Sequence, residues 1–229
     1  MKVTLHKNFN PQIETFTLTK TEIEDQAIQD LIRYKKLYFE RYHKLAATTL
    51  DIDNFVQELW GISIVFEKID QTIDGKKILG KLEPDDQKII IDDSARANQR
   101  SISFTIAHEA GHLSLHASMF RLIDGVVAGW AGTSISDVRI NRLQELHDFR
   151  KEWQADHYAA ALLAPEIEII RLLHELGLAN NNDLTSPVDM QIYGGKFDQK
   201  FNLSRQALEI RFSELGIPVK NSRYIRFNK

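Results

Sequence analysis

The sequence predicts an α+β fold: a small, mostly antiparallel sheet of about three strands packed on helices, with one buried helix at its centre and a C-terminal helical part. Three observations carry that expectation. Three runs rich in β-branched and aromatic residues, 62–66, 78–82 and 88–92, follow one another closely. Apolar residues recur at helical spacing on either side of them, over 21–47 before and 136–164 after. Between the sheet and the second of these segments, residues 98–117 carry Ile102, Phe104, Ile106, Ala107, Leu113 and Leu115, apolar on several faces, as befits a helix surrounded by neighbours.

Composition narrows the class. At 229 residues the chain suits one domain with appendages, and we divide it into an arm (1–20), a main domain (21–176) and a C-terminal loop and helical extension packed on it (177–229). Hydrophobic content of 43% and charged content of 27% are those of a soluble globular protein. A net charge of −3 gives no basic footprint, so direct nucleic-acid binding is not expected. The absence of cysteine removes disulfides, thiolate metal ligands and a cysteine nucleophile together. The N-terminal residues lack the apolar core of a signal peptide and no run approaches a membrane span, so we expect a cytoplasmic protein with no membrane partner.

Taken in order, residues 1–20 alternate loosely through Val3, Leu5, Phe16 and Leu18 as a strand or arm. One long amphipathic helix follows over 21–47, with an apolar stripe of Ile23, Ala27, Ile28, Leu31, Tyr34, Tyr38, Tyr42 and Leu45. Asp53 reads as the N-cap of a short helix carrying Phe55, Val56, Leu59 and Trp60 and closed by Gly61. The last two of the three strands are separated by Pro84, Asp85 and Asp86 as a turn, which implies antiparallel pairing. A free edge of such a sheet, if it borders the central helix, can take an extended peptide as an added strand.

After the central helix, Gly125, Gly129, Gly132, Thr133 and Ser134 mark a loop. The helix over 136–164 carries Leu143, Leu146, Phe149, Trp153, Ala160 and Leu163 and is ended by Pro165; a shorter one spans 166–176 before Gly177. Residues 180–195, with Asn180, Pro187, Gly194 and Gly195, read as a loop, and a final helix capped by Ser204 stops at Gly216.

The central helix contains His108-Glu109-Ala110-Gly111-His112, the pattern H-E-x-x-H. His108 and His112 lie one helical turn apart, about 6 Å along the axis, so both imidazoles leave one face and can converge on one ion. Two neutral nitrogens on a rigid frame are half of a tetrahedral zinc site. Glu109 is rotated roughly 100° from His108, where its carboxylate can reach a water beside the metal without becoming a ligand. Histidines four apart also occur as hydrogen-bonded core pairs, but three of the eight histidines fall within nine residues here, with Glu at the position the chemistry requires. Gly111 inside the helix costs roughly 1 kcal/mol against Ala and points to a closely packed neighbour.

A hydrolytic zinc site keeps three protein ligands. A third histidine continuing the motif is excluded, because Leu115 and Ser118 occupy the positions that an extended motif would use. A carboxylate on the following helix remains, and Glu152 provides it, with Asp156 four residues on and facing the same way. Glu152 alone reads as a solvated surface residue; beside the motif it reads as the ligand, with Asp156 accepting the free ring N–H of a ligating histidine. Ala155, Ala159 and Ala160 let this helix approach the first closely. Glu109 is then the general base toward the attacking water. Candidates to steady the oxyanion are His116, His147, His157 and Tyr158, with His116 read more simply as a buried structural residue.

At these residues the chain resembles the ImmA/IrrE family of metallopeptidases. The likeness runs through 104–112 with Leu115 and His116, then Glu152, Ala155, Asp156, Ala159, Ala160, Leu162, Leu163 and Pro165, and ends in 201–204, Ala207, Leu208, Arg211, Phe212, Leu215 and Gly216. It implies a zincin-like domain over 21–176 in which His108, His112 and Glu152 hold zinc, with manganese as the alternative ion, and Glu109 is catalytic. It also implies a protein substrate, a DNA-binding repressor of the helix-turn-helix type that governs a mobile element or a stress response. The family often has Asn where this chain has Asp156 and usually Phe where it has Tyr158. The alternative is a metal-stabilised regulatory module that binds a repressor or toxin partner without cutting it; Glu109 argues against that, since a binding module needs no general base.

Overall fold

The computed structural model describes residues 9–10, 15–16, 18–47, 49–73, 76–83, 86–116, 138–180 and 183–222, with the backbone alone at 9–10, 15–16, 73, 76, 138–149 and 183. The fold is α+β, mostly helical, with a small mixed sheet of three strands. Near the N-terminus β1 (Phe9–Asn10) pairs antiparallel with β2 (Thr15–Phe16). Helix α1 (Lys20–Tyr42) starts in a capping box, where the Glu22 amide donates to the Thr19 hydroxyl and the Glu22 carboxylate accepts from the Thr19 amide. It stops five residues short of the expected end, at His43 in the left-handed region. Its inward positions are Ile23, Ala27, Asp30 and Tyr34, one stripe at helical spacing. Leu45, expected in that stripe, lies past the helix and is 84% exposed.

Helix α2 (Ile52–Trp60) is capped two residues earlier than expected. The Asp51 carboxylate accepts the Asn54 amide proton at 3.2 Å, and Asp53 instead occupies the first turn, where negative charge suits the helix dipole. Gly61, at φ 69°, closes the helix as the sequence indicates.

The sheet comprises β3 (Ser63–Glu67), β6 (Gly80–Glu83) and β7 (Lys88–Asp92), with a two-residue ladder of β4 (Thr72–Ile73) and β5 (Lys76–Lys77) in the crossover. Strand β7 is central: it pairs antiparallel with β6, as the intervening turn demands, and parallel with β3. The sheet is therefore mixed rather than mostly antiparallel. Residues 68–79 carry the chain across from β3, so β3 runs alongside β7 in the same direction instead of forming a hairpin with β6. Being covered on both faces, β7 is a continuous apolar run, with Ile89, Ile90 and Ile91 buried.

After a single 3-10 turn (Asp93–Ala97), Asn98 caps α3 (Gln99–Gly111), which carries the H-E-x-x-H motif and passes directly into a π-helical turn, His112–His116. The loop with Gly125, Gly129, Gly132, Thr133 and Ser134 lies outside the described residues. Helix α4 (Val138–Leu163) packs extensively on both α3 and α1. Gly111 is where α3 and α4 meet: a Cβ there would stand 3.0 Å from Ala155 Cα, 3.1 Å from its carbonyl oxygen and 3.3 Å from Tyr158 Cβ. Of the three small residues expected at this crossing, Ala155 and Ala159 are fully buried and Ala160 is partly exposed.

Beyond Pro165, α5 (Glu166–Glu175) ends before Gly177, and β8 (Ala179–Asn180) pairs with β9 (Asp183–Leu184). Strand β10 (Val188–Asp189) runs parallel to β11 (Val219–Lys220), so the end of the described chain is tied back to the segment preceding α6. Helix α6 (Gly194–Phe201) begins at Gly194 and Gly195, the end of the expected loop, and continues through residues for which the sequence indicates no element. A Cβ on Gly194 would stand 2.1 Å from the Arg205 guanidinium carbon, so the arginine head lies directly over this glycine. Helix α7 (Arg205–Glu214), capped by Ser204 as expected, brings Arg211 into the interior, where it donates to the Ala164 carbonyl and to Glu24. Among the described residues no helix is long and apolar enough to cross a membrane.

Candidate metal centre

Helix α3 places His108 and His112 on the face it turns toward α4, and α4 answers with Glu152 and Asp156. The two Nε2 atoms are 3.1 Å apart, His108 Nε2 is 3.1 Å from Glu152 Oε2, and His112 Nε2 is 3.4 Å from Glu152 Oε1. Two atoms bound about 2.0–2.1 Å from a tetrahedral centre lie about 3.3–3.4 Å apart. The three side chains thus stand at the mutual spacing of ligands around one small ion, and they are the set among the described residues that could hold one.

The donor chemistry fits as well. Asp156 Oδ1 lies 2.8 Å from His108 Nδ1, so the neutral imidazole donates Nδ1–H to the carboxylate and leaves its Nε2 lone pair facing the other ligands. Two Nε2 lone pairs 3.1 Å apart repel unless a proton or a metal ion lies between them. Burial disfavours the charged form of His108, but hydrogen bonds to Asp156 and Glu152 outweigh it and raise the imidazole pKa to about 10. Burial likewise works to raise the Glu152 pKa, and the two histidines overcome it, holding the carboxyl well below the usual range. Surroundings that hold a proton this firmly also favour a metal ion, and the two compete for the same lone pair.

Glu109 lies against strand β6. It is buried, and burial raises its pKa against the opposing pull of His112 and His108. The Leu82 amide donates to its carboxylate. That contact locates the edge of the sheet. The Asp92 amide donates to the Leu79 carbonyl at 2.9 Å, so by the alternation of an antiparallel ladder Gly80 and Leu82 turn their main-chain groups away from β7. Strand β6 lies so close to α3 that a Cβ on Gly80 would stand 2.2 Å from Thr105 Cγ2 and 3.4 Å from Glu109 Oε1. Among the described residues no strand pairs with the outer side of β6, and that edge runs beside Glu109.

The proposed oxyanion candidates are differently disposed. His157 contacts the Trp153 carbonyl and Glu214; Tyr158 donates its hydroxyl to Asp30 at 2.8 Å; the side chain of His147 lies outside the described residues. His116 is buried behind His112, with its Nδ1 3.1 Å from His112 Nδ1 and its Nε2 2.9 Å from Gln154 Oε1. Burial pushes its pKa down to about 3, so it is neutral. Sequence reasoning missed Gln154 and Asp30. Asp30 lies in the inward register of α1, between Ala27 and Tyr34, and that register was the signal that could have found it.

No family model matches the chain, and no match is found among curated proteins. Among solved structures the chain is similar to a Mycobacterium tuberculosis transcriptional regulator, with 15% identity and a TM-score of 0.44 over 89% of this chain. The chain spans about half the length of that protein, 53%.

Proposed function

We propose that the protein is a zinc-dependent endopeptidase on a zincin-like domain, related to the ImmA/IrrE metallopeptidases. In this reading His108, His112 and Glu152 hold the metal, Asp156 orients His108, and Glu109 is the catalytic residue. The observation that carries it is the convergence of two Nε2 atoms and one carboxylate at 3.1–3.4 Å, with a buried glutamate alongside. A zinc ion held there supplies Lewis acidity, polarising a peptide carbonyl and a water molecule.

The residues of the chain do the rest. A substrate strand lies along the outer edge of β6 and is held by the main-chain groups of Gly80 and by the Leu82 carbonyl, the Leu82 amide being engaged by Glu109. Glu109, its basicity raised by burial, takes a proton from the attacking water and returns it to the leaving amine nitrogen. The Asp156 carboxylate keeps His108 in the tautomer that offers Nε2. The substrate we propose is a regulatory protein, a DNA-binding repressor of the helix-turn-helix type. Glu109 separates this function from a metal-stabilised binding module, which has no use for a buried base beside a strand edge.

The test is elemental analysis together with peptidase assay on protein purified without a metal-affinity step. One zinc equivalent in wild type and in Glu109→Gln, lost in His112→Ala, with hydrolysis in wild type alone, is the expected pattern. Equal hydrolysis by wild type and Glu109→Gln would overturn the mechanism, and less than about a tenth of an equivalent after exposure to micromolar zinc would overturn the metal site.

A further inference from the structure

His108 has a carboxylate to fix its tautomer. His112 Nδ1 instead meets another histidine, His116, at 3.1 Å. An imidazole neighbour is an ambiguous partner, because a neutral ring can either donate or accept at Nδ1. If His116 donated from Nδ1, His112 would have to accept there, its proton would sit on Nε2, and the nitrogen aimed at the metal would have no lone pair to give.

The ambiguity is resolved one step further out. His116 Nε2 faces Gln154 Oε1 at 2.9 Å. An amide oxygen only accepts, so His116 carries its proton on Nε2 and its Nδ1 is an acceptor; His112 then donates Nδ1–H to it, and Nε2 is left bare. All three side chains are at least nine-tenths buried, which removes water as a competing partner and makes each unmade bond costly. The π-helical turn begins at His112 and ends at His116, so the two rings that must meet are the limits of the one irregular turn in the helix. Gln154 lies between Glu152 and Asp156 on α4, so one short segment of that helix serves all three parts of the centre.

We propose that Gln154 and His116 form a buried relay that sets the tautomer of His112 and thereby presents its Nε2 lone pair to the metal. Both are positioning residues, acting through His112. The relay rests on the reading of His108, His112 and Glu152 as ligands, and it adds Gln154, which no H-E-x-x-H motif contains.

The experiment is a chelator-competition measurement of zinc affinity on the full chain, with nitrogen-15 imidazole correlation spectra of wild type. Gln154→Met and His116→Leu should weaken zinc binding about 10–100-fold, the usual effect of removing the partner of a ligating histidine. His116→Asn should keep most of the affinity, because its Oδ1 sits two bonds past Cβ, as Nδ1 does, and accepts the same proton. A merely space-filling His116 gives the opposite order, with Leu tolerated better than Asn. The spectra need no variant: His116 protonated on Nε2 and His112 on Nδ1 supports the relay, and His116 protonated on Nδ1 overturns it. Wild-type affinity retained by Gln154→Met and His116→Leu overturns the relay while leaving the metal reading intact. A wild type that takes up no zinc overturns both.

Discussion

Replacing Gly111 by alanine sets two known effects against each other at the centre of the site. In an isolated helix the change is worth about 1 kcal/mol in favour of Ala. Here the new methyl would meet Ala155 Cα at 3.0 Å, the Ala155 carbonyl oxygen at 3.1 Å and Tyr158 Cβ at 3.3 Å. Two of these three atoms are main chain in the interior of α4, so no side-chain rotation relieves them, and the helices must part by a few tenths of an ångström. Overpacking of this kind costs about 1–3 kcal/mol, so the net change is a destabilisation of about 0–2 kcal/mol despite the better helix former.

The consequence for the metal is sharper, because Ala155 is one turn from Glu152 on the same helix. Ligand distances tolerate only about 0.2 Å, so displacing α4 should weaken zinc binding by about tenfold. Denaturant unfolding in chelator reads the first effect and chelator competition reads the second. Gly111→Ala that is about 1 kcal/mol more stable, with zinc affinity unchanged, would refute the reasoning, since it would mean that propensity decides and the crossing yields freely.

Three further outcomes are expected. Tyr158→Phe removes one of the two hydroxyls, from Tyr158 and Ser114, that donate to the buried Asp30 carboxylate. It should cost about 1–3 kcal/mol in urea unfolding, and little once Asp30 is also made apolar. The Asp92 carboxyl is held below the usual range by Lys77, the Ser94 hydroxyl and the Ile69 amide. A depressed folded pKa means that its contribution is complete above the unfolded value of about 3.9 and is lost as pH falls through the folded one. The stability gap between wild type and Asp92→Asn should therefore be flat at neutral pH and close in acid. Saturating zinc at about 1,000 times its dissociation constant should add about 4 kcal/mol to stability, and a chelator should remove it; a melting temperature indifferent to zinc would contradict tight binding to the folded state.

The grouping of His108 with His112 was legible because its geometry is local. One helical turn fixes where His108 and His112 point, and a glycine flanked by them announces a close neighbour. Glu152 and Asp156 followed from the same arithmetic on the next helix. What escaped was set by tertiary contact. The parallel pairing of β3 with β7 depends on a crossover whose path no local pattern records. Helix α6 begins with two glycines, poor helix formers, one of which, Gly194, lies beneath the Arg205 guanidinium. Gln154 and Asp30 are polar residues at buried positions; only the partners that satisfy them, His116 in one case and Tyr158 with Ser114 in the other, reveal why they are there.

The most direct test of peptidase function is labelling of new protein N-termini in cells, comparing wild type with Glu109→Gln. One dominant cut in a DNA-binding regulator, present with wild type and absent with the variant, is the expected result. Identical N-termini in the two, with zinc bound in both, would contradict catalysis by Glu109 and leave the protein a metal-stabilised binding module.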